Sequence, residues 1–167
     1  MRLKENKEEF LATQEYPLSN EGLADLLQAA LAKGACFRFQ AKGLSMAPFI
    51  RDGDIVVIAP LNEARVRLGD ILVFIHPSQG KLAIHRLIKK RGALCLIKGD
   101  NVSFFDGWVE RGGILGRVIS IQRGARKVCF GLGPERYLIV FFSRTLLLSA
   151  MLKILRRLPL SIRELLR

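Results

Sequence analysis

The chain has 167 residues, half of them apolar and a quarter charged, which suits one globular domain burying roughly 70% of its unfolded surface and excludes disorder and repeat arrays. Its 27 lysines and arginines outweigh 15 acids, for a net charge of +12. The excess is uneven: residues 123–167 hold 10 of the bases and 2 of the acids, so this end should seek phosphate, on a lipid surface or a nucleic acid, by Coulomb attraction. Cys36, Cys95 and Cys129 are odd in number and lack a CxxC spacing, so they are read as reduced core residues rather than a disulfide framework or metal site. No metal or cofactor is called for.

Met1 to Tyr16 is polar with both signs of charge and lacks the apolar stretch of a signal peptide or amino-terminal anchor. From Ser19 to Lys33, Leu23, Leu26, Leu27, Ala30 and Leu31 recur at helical spacing, with Ser19 or Asn20 able to cap the start and Gly34 the end; this predicts a short amphipathic helix. Residues 1–35 are therefore taken as a helical extension.

Between residues 36 and 133 the texture changes to short β-rich runs, predicted as strands over 36–40, 55–59, 71–75, 81–89, 93–97 and 114–122. Gly-Asp pairs at 53–54, 69–70 and 99–100 punctuate them. No long helix-periodic run separates the strands, so a mainly β, antiparallel barrel or sandwich-like domain is expected rather than a parallel sheet with crossover helices.

Gly133 and Pro134 mark a boundary before an apolar, basic tail over 134–167. The 19 residues from Tyr137 to Leu155 are marginal for crossing a hydrocarbon core and are interrupted by Arg144 and Lys153. On a helical wheel Ser149, Lys153, Arg156 and Arg157 share one face while Leu148, Met151, Leu152 and Leu155 fall largely on the other. That pattern suits a basic amphipathic helix lying in an anionic membrane interface, or one packed on the domain or a partner. Membrane association, peripheral or through this tail, is the expectation, with the side of the membrane open.

The segment Gly43-Leu44-Ser45-Met46-Ala47-Pro48 sets one serine between a strand-like run and a proline-containing turn, where it can be presented at a cleft. A turn serine bonded to nearby backbone is the plainer reading of those residues alone. The whole series weighs more: it continues with Arg51-Asp52-Gly53-Asp54, Gly69-Asp70-Ile71-Leu72, Ile84-His85-Arg86-Leu87 and Lys98-Gly99-Asp100-Asn101. Over about residues 36–120 it closely resembles the type I signal peptidases, whose superfamily includes the self-cleaving LexA-type repressors. The resemblance implies a β-rich catalytic domain with a serine nucleophile. His85 stands where many members carry a lysine base, which is similar to the endoplasmic-reticulum and archaeal Ser-His branch, and Asp100 and Asp106 match that branch's aspartates.

A serine hydroxyl needs an adjacent base at neutral pH, and neutral imidazole can serve; a carboxylate on the other ring nitrogen would fix its tautomer. The sequence does not choose between the two aspartates. Asp106 is taken as the orienter and Asp100 as a supporting residue, each also readable as a turn aspartate. Lys81, four residues before His85, stays open as an alternative base. His76, ahead of Pro77 in a loop, is expected to be exposed and without a role. The Ser45 backbone N–H is the natural oxyanion donor, and Gly43, Leu44, Met46 and Pro48 are taken as substrate-contacting.

The expected function is thus a serine endopeptidase cutting an extended peptide or protein segment, such as a signal or leader sequence, after a small side chain. The alternatives are a LexA-type self-cleaving regulator, for which the one helix ahead of Ser45 is too little for a helix-turn-helix, and a non-enzymatic β-rich module on membrane or nucleic acid. Nucleic acid is the less expected partner, since the basic residues are not interleaved with aromatics.

Overall fold

In the computed structural model, residues 20–61 and 66–144 are described. Strand β3 (Ile71–Ile75) is the apolar run Ile-Leu-Val-Phe-Ile, and its first four side chains are all buried. Because side chains alternate across a strand, Ile71 and Val73 enter one apolar cluster while Leu72 and Phe74 enter another. A strand covered on both faces can carry such a run; a strand with one wet face would alternate.

The other strands are β1 (Phe37–Gln40), β2 (Ile55–Pro60), β4 (Leu82–Arg91), β5 (Leu94–Lys98), β6 (Gly107–Glu110), β7 (Ile114–Arg123) and β8 (Arg126–Val128). All pair antiparallel, in the order β1-β2-β7-β3-β4-β5-β6, with β8 hairpinned onto β7. The sheet is mainly β and antiparallel as expected, but it does not close into a barrel: β1 and β6 stand at opposite ends of the strand order. The 10-residue strands β4 and β7 each carry register shifts, which bend a long strand and increase its twist.

Helix α1 (Asn20–Ala32) lays Leu27 and Leu31 into the cluster formed by Val56, Ile58, Ile71, Val73, Val118 and Ile121. It stops where predicted: the Gly34 N–H donates to the Leu31 carbonyl and Gly34 takes φ +77°. Ser19, the other candidate cap, lies outside the described residues. Helix α2 (Arg136–Arg144) begins two residues after Pro134 and packs on β4, buried through Ile139, Val140 and Ser143. No helix among the described residues is long and apolar enough to cross a membrane. The tail pattern from Leu148 to Arg157 lies outside the described residues.

The cysteine reading needs correction. Cys95 is buried, but Cys36 is half-buried and Cys129, just past the short β8, is exposed.

Gly116 shows how closely α1 approaches the sheet. A Cβ there would lie 2.6 Å from Ile58 Cγ2, 2.9 Å from the Ala59 carbonyl oxygen and 3.0 Å from Leu31 Cδ1. Gly116→Ala is expected to lower stability by roughly 1–3 kcal/mol through overpacking. A thermal melt should show a fall of about 2–4 °C per kcal/mol; an unchanged melt would mean that the helix yields freely.

Candidate active site

Ser45 sits in the turn-rich segment between β1 and β2, and three fixings hold that segment. At its end, the Asp54 carboxylate accepts from Arg123 Nε and Nη2 at 2.9 and 2.7 Å and from the Arg51 backbone N–H at 2.8 Å. Burial works to raise the Asp54 pKa, but these donors and the nearby guanidiniums hold it below the ordinary aspartate value. The loop's stabilisation from this carboxylate is therefore present above the ordinary value near pH 4 and is lost as pH falls through the lowered one. At its start, the Gly43 N–H donates to Asp52 Oδ1 at 2.7 Å, with Gly43 at φ +93°.

The third fixing comes from the turn after β5. The Asn101 backbone N–H donates to the Ser45 carbonyl and the Asn101 side-chain amide to the Leu44 carbonyl, both at 2.8 Å. Gly99 allows this approach, because a Cβ there would fall 2.9 Å from the Ser45 carbonyl oxygen, 3.1 Å from His85 Nε2 and 2.8 Å from Val102 Cγ2. Gly99 and Asn101 are site residues that the sequence reading quoted within a motif without giving them a task. Their signal was the motif itself; the clamp is a long-range fact.

His85 lies on β4, opposite Leu72 of β3, and is 9% exposed. Its Nε2 is 2.9 Å from Ser45 Oγ and its Nδ1 is 2.6 Å from Asp106 Oδ2. Asp106 enters from the loop before β6, its backbone N–H donating to the Ile97 carbonyl at 3.0 Å. The three side chains form one line: Asp106 accepts from Nδ1–H, which leaves Nε2 as the acceptor for the serine hydroxyl proton. The structure thus brings together Ser45, His85 and Asp106.

Asp100 is elsewhere. It is fully buried and holds Arg86, the neighbour of His85, through contacts of 2.8 to 3.1 Å from Nε and Nη2. Arg86 Nη1 also donates to the Gly69 and Gly131 carbonyls at 2.8 Å. Lys81 is exposed, one residue before β4. A different lysine, Lys98, is fully buried, with Nζ 3.5 Å from the Gly99 carbonyl; burial pulls its pKa down while Asp100 and Asp106 act to raise it.

The expectation that His76 is exposed was wrong. It is 8% exposed, and its Nε2 lies 3.3 Å from Asp106 Oδ1. The loop folds back because the His76 N–H donates to the Lys81 carbonyl at 2.8 Å, and no short-range pattern reveals the distant carboxylate.

A groove of about 470 Å³ opens at Ser45, His85 and Asp106, walled by Phe39, Ala41, Met46, Ile50, Leu82 and Ile84 among others. Of the residues expected to touch substrate, Gly43 and Met46 line it. Leu44 and Pro48 do not: Leu44 projects into solvent and the Pro48 carbonyl faces Arg123 Nη2 at 3.4 Å.

A comparison with curated proteins finds no match. A comparison with protein families matches residues 6–119 to the family described as Peptidase S24-like. That span covers well over half of the chain and contains the serine loop, the histidine strand and the aspartate loop, so the chain belongs to the Peptidase S24-like family, serine peptidases of the LexA and signal peptidase superfamily.

Proposed function

We propose that the protein is a serine endopeptidase of signal-peptidase type, of the Ser-His kind, with Ser45 as nucleophile, His85 as general base and Asp106 as its orienter. The observation that carries this is the unbroken line from Ser45 Oγ through His85 to Asp106, with contacts of 2.9 and 2.6 Å at the mouth of a groove. His85 Nε2 takes the hydroxyl proton as Oγ attacks the scissile carbonyl carbon. The resulting imidazolium is stabilised by Asp106 and gives its proton to the leaving amine. Water then repeats the sequence on the acyl-enzyme, with His85 again as base. The Ser45 backbone N–H, which none of the turn's own hydrogen bonds uses, serves as an oxyanion donor.

The groove also suits an extended substrate. From Arg86 onward β4 pairs with β5, whereas Leu82 to His85 have a ladder partner only on the β3 side. That free backbone faces the groove, so a peptide can add there as a strand. Phe39, Met46, Ile50, Leu82 and Ile84 supply apolar wall that can take an uncharged substrate side chain.

Self-cleavage of the LexA type is the second reading, favoured by the family match itself. One experiment separates the readings and tests both. The purified chain is incubated alone and with a fluorogenic peptide bearing alanine on the acyl side of the scissile bond. Turnover of the peptide, reduced about 10⁴-fold or more in both Ser45→Ala and His85→Ala and no further in the double variant, supports the first. An internal cut upstream of Ser45 without peptide turnover supports the second, and full activity in Ser45→Ala would end both.

We also propose that the chain meets an anionic membrane surface. Support comes from α2, where Tyr137 and Leu138 are half or more exposed, and from the basic excess over 123–167. The full chain should co-sediment with phosphatidylglycerol-containing vesicles, less so in 1 M salt, and Leu138→Asp should weaken the binding. Equal recovery with neutral vesicles, or none with either, would contradict the proposal.

A further inference from the structure

The reaction just described leaves His76, a buried titratable group beside the site, unused. His76 directly follows β3, and its ring stacks on Phe74 with centroids 6.2 Å apart and planes at 29°. The turn that holds it is closed at its own base: the His76 N–H donates to the Lys81 carbonyl, and the His76 carbonyl accepts from the Gly80 N–H at 2.9 Å.

The partners of the two ring nitrogens fix the tautomer. Nδ1 is 3.3 Å from the Ser78 backbone nitrogen, which can only donate, and 3.2 Å from Ser78 Oγ. Nδ1 therefore accepts, so the proton is on Nε2, which lies 3.3 Å from Asp106 Oδ1. The other carboxylate oxygen, Oδ2, takes the His85 Nδ1–H at 2.6 Å. One carboxylate, its side chain 3% exposed, thus faces two imidazoles through different oxygens.

A carboxylate with a single partner can rotate about its Cβ–Cγ bond and present either oxygen at a range of tilts. A second N–H set against the other oxygen favours one orientation electrostatically. Lys98 also faces Asp106 electrostatically, from β5, but its nearest hydrogen-bond acceptor is the Gly99 carbonyl, so it adds charge without setting the plane. We infer that His76 is a positioning residue: its Nε2–H, set against Oδ1, holds the Asp106 carboxylate in the orientation that receives His85 Nδ1–H, and it acts on Ser45 only through those two groups. The inference rests on the proposed serine-peptidase reading.

The test uses the full chain as wild type, His76→Phe, which keeps a stacking ring and removes the donor, and His76→Gln, which keeps an N–H donor. Two readouts are taken: kcat and KM on the alanine-containing fluorogenic peptide, and the proton NMR resonance of His85 Nδ1–H, expected far downfield because of its short bond and identified by its loss in His85→Ala. His76→Phe should lower kcat roughly ten- to a hundredfold with KM little changed and move the resonance upfield, and His76→Gln should recover much of both. If the phenylalanine variant does not fold, His76→Asn, too short to reach Asp106, takes its place with the same expectation. An active wild type whose kcat and resonance are indifferent to these losses overturns the role of His76. A wild type that shows the resonance but cleaves no peptide, in trans or in itself, overturns the peptidase reading instead.

Discussion

The site depends on a buried ion pair that takes no part in the proposed chemistry. Arg86 and Asp100 are both fully buried, and taking two charges out of water is costly unless their hydrogen-bonding groups are met. Here they are: the guanidinium spends its donors on both Asp100 oxygens and on the Gly69 and Gly131 carbonyls, and lies over the Phe49 ring at 5.3 Å. Removing either partner would strand the other charge in the core. The pair therefore ties β4 to the turn after β5, to the turn before β3 and to the loop leading into α2.

Those attachments decide where Ser45 and His85 stand. Arg86 and His85 are neighbours on a strand, so their side chains leave on opposite faces. Fixing the arginine in the interior fixes the imidazole toward the groove. Asp100 is likewise flanked by Gly99 and Asn101, the two residues that approach and clamp the Ser45 segment. The same ion pair thus anchors both the strand that carries His85 and the turn that clamps the Ser45 segment. A hydrogen-bonded line of 2.9 and 2.6 Å between three loops and strands far apart in sequence requires such rigid backing, since an error of about 1 Å at a reacting centre can cost a hundredfold in rate.

The legible parts were those with a local cause. The apolar runs of β2, β3, β5 and β7 and the leucine spacing of α1 announce themselves, and their bounds agree with expectation to within a residue or two. Strands β6 and β8 did not, because Gly107–Glu110 and Arg126–Val128 are too short for a pattern and exist through pairing with β5 and β7. Ser45, His85 and Asp106 were legible through motif order, not through any property of the three residues alone. His76 and Lys98 were not, since each owes its burial to chain segments folded against it, and a histidine before a proline in a polar stretch reads as surface. Asp100 and Asp106 could be told apart only once the fold showed which one meets an arginine and which an imidazole.

The central claim is that His85 strips the proton from the Ser45 hydroxyl. It is tested most directly by treating the native chain with a fluorophosphonate and mapping the adduct by mass spectrometry. The account predicts a single adduct on Ser45, formed far more slowly in His85→Ala while the fold is retained. Modification at another residue, or labelling of Ser45 that proceeds undiminished without the imidazole, would contradict it.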